Sequence, residues 1–303
     1  MTTIAPVAGA ASVSRLGPAA RHRTRTIRNG LATTLIVLSF VVVLIPLALL
    51  IGYVVARGRT VFGYAFLTKE IPTSITPGPG MGPAVMGTLL ITGAATLMAV
   101  PLGVLGGVYL SEYGRRHVIA RVLRFFAEIM TGVPSIVMGL FVYTAVVVET
   151  HHRTAFAGSL ALGCLMLPIV IRTTDEMLWL VPAELREGSV ALGSRQARTI
   201  VRIVLPAAAP GIVSGALLAV ARAAGETAPL IFVIGSVYRT NGSLFHNENT
   251  TLSVQIYNNA TQPYLASQQR AWAAALTLIG IVFIFTVVAR AFTAFYARRS
   301  TAS

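Results

Sequence analysis

From Asn29 to Ala56 the chain carries no charged side chain. A helix needs about 20 apolar residues to cross the ~30 Å hydrocarbon core of a bilayer, and this run is longer. It is also too long for the apolar part of a signal peptide, and no small-residue cleavage site follows it. Five more apolar runs come after it, at about 83–110, 126–148, 154–171, 207–237 and 271–289. The shortest still extends ~27 Å as a helix. The expected fold class is an all-α membrane protein with six transmembrane helices. Gly103, Gly106, Gly107, Gly211 and Gly215 stand inside these runs, as close helix packing in lipid requires.

Composition agrees. Hydrophobic residues make up 55% and charged residues 11% of the chain, and the mean hydropathy is +0.74. A soluble domain carries about 25% charged residues, so most of this surface must face lipid. The formal net charge of +14 does not indicate nucleic acid. The basic residues gather at the ends of apolar runs and lack the interleaved aromatics of a single-strand binder. On the six-span layout 17 basic residues fall on the side of the termini and 6 on the other, with Arg222 inside a span. The positive-inside rule then places both termini in the cytoplasm. Residues 1–28, rich in Ala, Ser, Thr and Arg, are expected to be a disordered cytoplasmic tail. Residues 29–56 form the first transmembrane helix, 83–295 the core domain, and 296–303 a second cytoplasmic tail.

Several chemistries are excluded. Lys69 is the only lysine, and Glu70 follows it with no glycine-rich loop before, so the chain has no Walker A phosphate loop. Cys164 is the only cysteine, which permits neither an intrachain disulfide nor a thiolate metal site. His151 and His152 are adjacent and would point about 100° apart on a helix, a poor chelating pair. No bound cofactor or metal is expected, and the chain is expected to catalyse no covalent step.

The most informative polar stretch is 172–206. Pro182 and Glu184 suit a first helical turn, where proline wastes no N–H and an acid favours the positive dipole end. Gly193 is placed to end that helix, and Arg195, Arg198 and Arg202 begin another. The expectation is a short cytoplasmic elbow, charged outside, that offers Val190, Ala191 and Leu192 to a groove on a partner. A linker with interfacial helices is the plainer alternative.

The spacing Glu187, Gly193, Ile203, Leu205, Pro206 resembles the Glu-Ala-Ala-x3-Gly-x9-Ile-x-Leu-Pro loop of bacterial ABC importer permeases. Gly188 and Ser189 stand where that family usually has two alanines, and Ala197 where many relatives carry an aromatic. Arg172-Thr-Thr-Asp-Glu, Pro182-x3-Arg186-Glu187-Gly188 and above all Ala221-Arg222-Ala-Ala-Gly225-Glu226-Thr227-Ala-Pro229-Leu230 are similar to the A-type phosphate permeases, over roughly residues 80–295. The resemblance implies a type I ABC importer permease fold in the bacterial inner membrane, with a coupling loop at 172–206. Glu184, Glu187, Val190–Gly193, Ile203, Leu205 and Pro206 would couple it to an ATPase. It implies as partners a homologous C-type permease in a heterodimer, a cytoplasmic ATP-binding subunit dimer and an extracytoplasmic phosphate-binding protein, with phosphate as cargo.

Arg222 and Glu226 are the only ionisable residues deep in a span, each about 18 Å from an end of the expected fifth helix. At i,i+4 they share a face within pairing reach. A charge at that depth costs at least ~2.5–3.5 kcal/mol, so the face must meet a partner or water. One reading is an anion gate: guanidinium presents a fork of donors that matches phosphate oxygens and stays charged. Glu226 would hold it between transits, and could accept a hydrogen bond from protonated phosphate, which sulfate cannot supply. The other reading is a structural ion pair. Thr227 is included in the expected pathway, as is Arg172, which the family resemblance associates with transport and which would equally serve as a snorkelling anchor. Rival functions are a permease for sulfate, molybdate or phosphonate, a secondary transporter, which would need its own coupling-ion site, and a membrane sensor subunit.

Overall fold

The computed structural model describes residues 18–114 and 117–300. Every regular element among them is helical. The chain forms two compact units that divide after Tyr53.

The first unit is the body of helix α1, Pro18–Gly58, with Pro46 inside it. The expected tail 1–28 is therefore helical from Pro18 onward, and residues before Pro18 lie outside the described part. Proline presets the backbone angle of a first turn, and the alanines and arginines that follow are strong helix formers.

In the second unit, α2 (Tyr64–Thr68) leads through a Pro- and Gly-rich stretch to α3 (Gly82–Val108), which continues as a π-helical turn at Tyr109–Tyr113. Then come α4 (Val118–Gly132) and α5 (Ser135–Val142). A second π turn (Tyr143–Val147) joins α5 to α6 (Val148–Thr150). Helix α7 covers Ala155–Trp179, α8 Ala183–Ala191 and α9 Gln196–Thr199. A third π turn (Ile200–Val204) runs into α10 (Leu205–Ala224). The last elements are α11 (Ala228–Val233), α12 (Leu252–Ala260) and α13 (Leu265–Ser300).

Helix α7 is the centre of the packing, with α3 on one side and α10 on another. Small residues make this possible. A Cβ at Gly103 would stand 2.7 Å from Val170 Cβ, and one at Gly107 2.5 Å from Thr174 Cβ. On α10, a Cβ at Gly215 would meet Thr173 Cβ at 2.6 Å. Close backbone approach gives dispersion contact that lipid cannot match. The main core gathers Ile91, Ala95, Leu162, Met166, Val170 and Leu230. Outward, Leu97, Leu105, Leu218 and Phe283 are exposed, as side chains facing lipid would be.

Among the described residues, five helical segments are long and apolar enough to cross a bilayer: Arg28–Gly58, Gly82–Tyr113, Ala155–Trp179, Gln196–Ala224 and Leu265–Thr293. The sixth is bent. The expected helix 126–148 is two pieces, α4 and α5–α6, meeting at 107°. Val133 (ψ 128°) and Pro134 (ψ 132°) are both extended at the junction, because proline excludes helical backbone at the residue before it. The fifth span is also interrupted. The expected helix 207–237 ends at Ala224, and Gly225–Thr227 separate it from α11, whose first turn contains Pro229. An intact helix would set the Pro229 ring against the Gly225 carbonyl; the chain restarts instead, with proline where it is preferred.

Other boundaries move outward. The fourth span runs to Trp179 rather than Ile171. The sixth runs from Leu265 to Ser300, so most of the expected tail 296–303 is helical and its last three residues lie outside the described part. The expected loop 238–270 contains α12, whose Leu252, Val254, Gln255 and Asn259 are buried. Its amides pair with their surroundings: Asn259 Nδ2 donates to Gln255 Oε1 (2.9 Å) and Gln255 Nε2 to Thr250 Oγ1 (3.0 Å). Satisfied polar groups can be buried, which a hydropathy reading does not register.

Candidate translocation and coupling sites

The interruption between α10 and α11 positions the first site. Arg222 lies in the last turn of α10, not in mid-helix as the sequence suggested, and Glu226 lies in the break. Arg222 Nε and Glu226 Oε1 are 3.6 Å apart, with side chains 70% and 20% exposed. That distance is an ion contact beyond hydrogen-bond range, so the guanidinium fork keeps donors open to a ligand. Glu226 is the fixed partner. Its N–H donates to the Ala223 carbonyl (3.1 Å), and its own carbonyl accepts from Ser253 Oγ of α12 (2.9 Å). Thr227 precedes α11 and accepts the Leu230 N–H at its carbonyl (3.1 Å). From the other side α5 presses on the restart: Gly139 stands directly against the backbone of Pro229, where a side chain would collide with it.

Arg172 belongs to a separate cluster. It lies two turns before the end of α7, and its Nε donates to Glu176 Oε1 at 2.9 Å. Both side chains are more than half exposed, so this pair contributes little to stability. With Arg124, Glu128 and Asp175 they line a hollow of about 140 Å³. Arg124 crosses from α4 to α7, donating through Nε to Asp175 Oδ2 (3.1 Å), and also reaches the Leu110 carbonyl (3.3 Å).

The stretch 183–204 forms the expected elbow. Pro182 caps α8 rather than entering it, and Glu184 lies in the first turn. The helix stops where Gly193 takes φ +80°. The Leu192 and Gly193 N–H groups then donate back to the Gly188 and Val190 carbonyls, a left-handed close that glycine adopts without a Cβ penalty. Glu184, Glu187, Val190, Ala191 and Leu192 are all exposed, Leu192 at 89%. Ile203, Leu205 and Pro206 stand apart from them, in the π turn and first turn of α10. They form the root of the elbow rather than its tip, beside a small core of Leu178, Val181, Val204, Ala208 and Ile212.

Sequence reasoning missed the bonds that hold the elbow. Arg186 Nη2 pairs with Glu112 Oε1 at 2.9 Å. Ser189 Oγ and Thr199 Oγ1 share a buried hydrogen bond of 2.8 Å that ties α8 to α9, so the serine that departs from the family pattern has a structural use. The available signal was scarcity. The chain has only ten acidic residues, and one at the end of an apolar run, such as Glu112, needs a cationic partner.

Residues 99–301 match the family model described as "Binding-protein-dependent transport system inner membrane component". The chain is 45% identical over 271 residues to the phosphate transport system permease protein PstA 1 of Mycobacterium tuberculosis, covering 88% of this chain and 87% of that one. It is 42% identical over 236 residues to PstA of Yersinia pestis, covering 78% and 80%. Among solved structures, it resembles an inward-facing form of the MetNI methionine ABC transporter (TM-score 0.59, 19% identity, 70% of this chain and 94% of that one). It also resembles a bacterial ABC transporter involved in the import of the acidic polysaccharide alginate (TM-score 0.60, 13% identity, 90% and 98%). At these identities the structural likeness establishes the fold alone.

Proposed function

Because the chain belongs to the binding-protein-dependent transport inner-membrane components, and among them to the PstA phosphate permeases, we propose that it is the A-type permease subunit of an ATP-driven phosphate importer. It forms half of the translocation pathway, with a homologous C-type permease as the other half. An ATP-binding subunit dimer docks in the cytoplasm on the elbow, and a phosphate-binding protein delivers cargo on the opposite face. The 17-to-6 division of basic residues supports termini and elbow on the cytoplasmic side.

The observation that carries the anion reading is Arg222 at the break between α10 and α11. Discontinuous helices bring polar backbone and charge to substrate sites in transporters. Here the break leaves a permanent cation with open donors, held by Glu226 at 3.6 Å. A phosphate oxygen in range can take the guanidinium donors, and the contact to Glu226 is loose enough to yield and re-form. Binding is thus favourable enough to admit the anion and reversible enough to release it. Protonated phosphate can in addition donate to the Glu226 carboxylate, and sulfate cannot.

Replacing Arg222 with Ala should abolish uptake of labelled phosphate by the assembled complex in vesicles while its subunits still co-purify. Normal uptake would overturn the gate. Excess sulfate should leave wild-type uptake unchanged; strong competition would point to a general oxyanion permease instead.

A further inference from the structure

Arg186 and Glu112 belong neither to the proposed anion path nor to the exposed face offered to the ATPase. We propose that they form the clamp that carries movement of the elbow into the membrane-spanning bundle, which makes both of them positioning residues for coupling. The proposal rests on the reading of α8 as the face that meets the ATPase.

The side chains are 17% and 7% exposed, respectively. Arg186 Nη2 and Nε both reach Glu112 Oε1, at 2.9 and 3.3 Å. Nη2 also donates to the Leu178 carbonyl at 2.7 Å, and Nη1 to the Val181 carbonyl at 2.6 Å. One guanidinium on α8 thus grips the π turn that closes α3, the last turn of α7, and the link between α7 and α8. Glu112 is held from the other side as well, since its carbonyl accepts from Gln196 Nε2 at the start of α9 (3.1 Å).

Apart from the Ser189–Thr199 bond to α9, the rest of α8 has little grip on the fold. Leu185, Val190 and Leu192 are all exposed, so apolar burial does not fix its position. Charge-assisted bonds away from water do, because breaking one strands a buried charge. A push on the elbow must therefore move the end of α3 or break the clamp. From α3 the connection is continuous: α3 packs on α7 at Gly103 and Gly107, α7 on α10 at Gly215, and Arg222 lies in the last turn of α10. The π turn that carries Glu112 already departs from the regular helical ladder, a feature frequent at functional sites.

The test uses the full complex in proteoliposomes with Glu112→Gln, which removes the carboxylate charge, and Arg186→Lys, which removes the guanidinium fork, each with little change in size. The expected result is intact assembly and basal ATP hydrolysis, with phosphate moved per ATP lowered roughly tenfold or more. An unchanged ratio in both variants would overturn the clamp. Loss of assembly in both would overturn it too, by showing that the pair merely holds the fold. A second readout does not depend on the cargo. Spin labels at exposed Leu105 and Leu192, in a Cys164→Ser background, should give a narrow distance distribution through the nucleotide cycle, and a broad one with Glu112→Gln. Equal widths would count against the clamp. If the wild-type complex moved no phosphate, the substrate reading alone would fall, and the label distances would still decide this proposal.

Discussion

Arg222 and Arg270 are the same side chain in opposite circumstances. Arg270 is 1% exposed and donates to the carbonyls of Thr76 (2.8 Å), Thr73 (3.1 Å) and Ser74 (3.3 Å), and to Ser267 Oγ (3.2 Å). It is a clamp on the segment before α3, although charge counting treats it as a topology signal. Arg222 is largely exposed and loosely paired. Their substitutions should therefore separate function from stability. Arg270→Leu should remove these hydrogen bonds, each contributing about 0.5–1.5 kcal/mol. It should lower the thermal unfolding midpoint of the purified protein and open 73–76 to protease; an unchanged midpoint would refute the clamp. Arg222→Ala should shift stability by no more than about 0.5 kcal/mol while removing uptake. The pairing of Arg222 with Glu226 was legible from their i,i+4 spacing, because that geometry is local. Burial of Arg270 was not, since its carbonyl acceptors lie almost 200 residues earlier in the chain.

At the scale of elements, interruptions matter more than lengths. Hydropathy located each apolar run but not the 107° bend at Pro134 or the break before Pro229. Both prolines were visible, yet a proline inside a membrane helix is often tolerated when neighbours satisfy the freed groups. Whether the chain kinks or breaks depends on those neighbours. Gly139 is one of them. Replacing it with Leu should push α5 off the Pro229 backbone, cost about 1–3 kcal/mol of overpacking, and reduce phosphate uptake more than it reduces basal ATP hydrolysis. Equal loss of both would mean a general folding defect. The elbow has its own element-scale test. A Cβ at Gly193 would meet no atom within 4 Å, but φ +80° disfavours one. Gly193→Val should cost about 1–2 kcal/mol and reshape the tip that carries Leu192. ATP hydrolysis stimulated by loaded binding protein should fall, and wild-type stimulation would show that the tip does not make the contact.

For the whole molecule the open prediction is sidedness. With Cys164→Ser as background, a cysteine replacing Leu192 (89% exposed) should react with a membrane-impermeant maleimide only from the cytoplasmic face. One replacing Tyr64 (84% exposed) should react only from outside. The reverse pattern would invert the proposed topology and move the elbow away from any cytoplasmic ATPase.

The helical membrane class, the apolar runs, the absence of a phosphate loop, and the elbow with its glycine stop were all legible along the chain. Each of these is written in a stretch short enough to read directly: a run of apolar residues, a missing lysine motif, a proline and an acid near a helix start, and a glycine at its end. Packing is what interrupts the third and fifth runs, buries one face of α12 inside a polar loop, and brings Arg186 to Glu112. Those outcomes depend on which distant groups satisfy a freed carbonyl or neutralise a charge. The Arg186–Glu112 pair spans 74 residues of sequence. Neither residue's neighbours along the chain name the other, and packing of α3 on α7 is what brings them together.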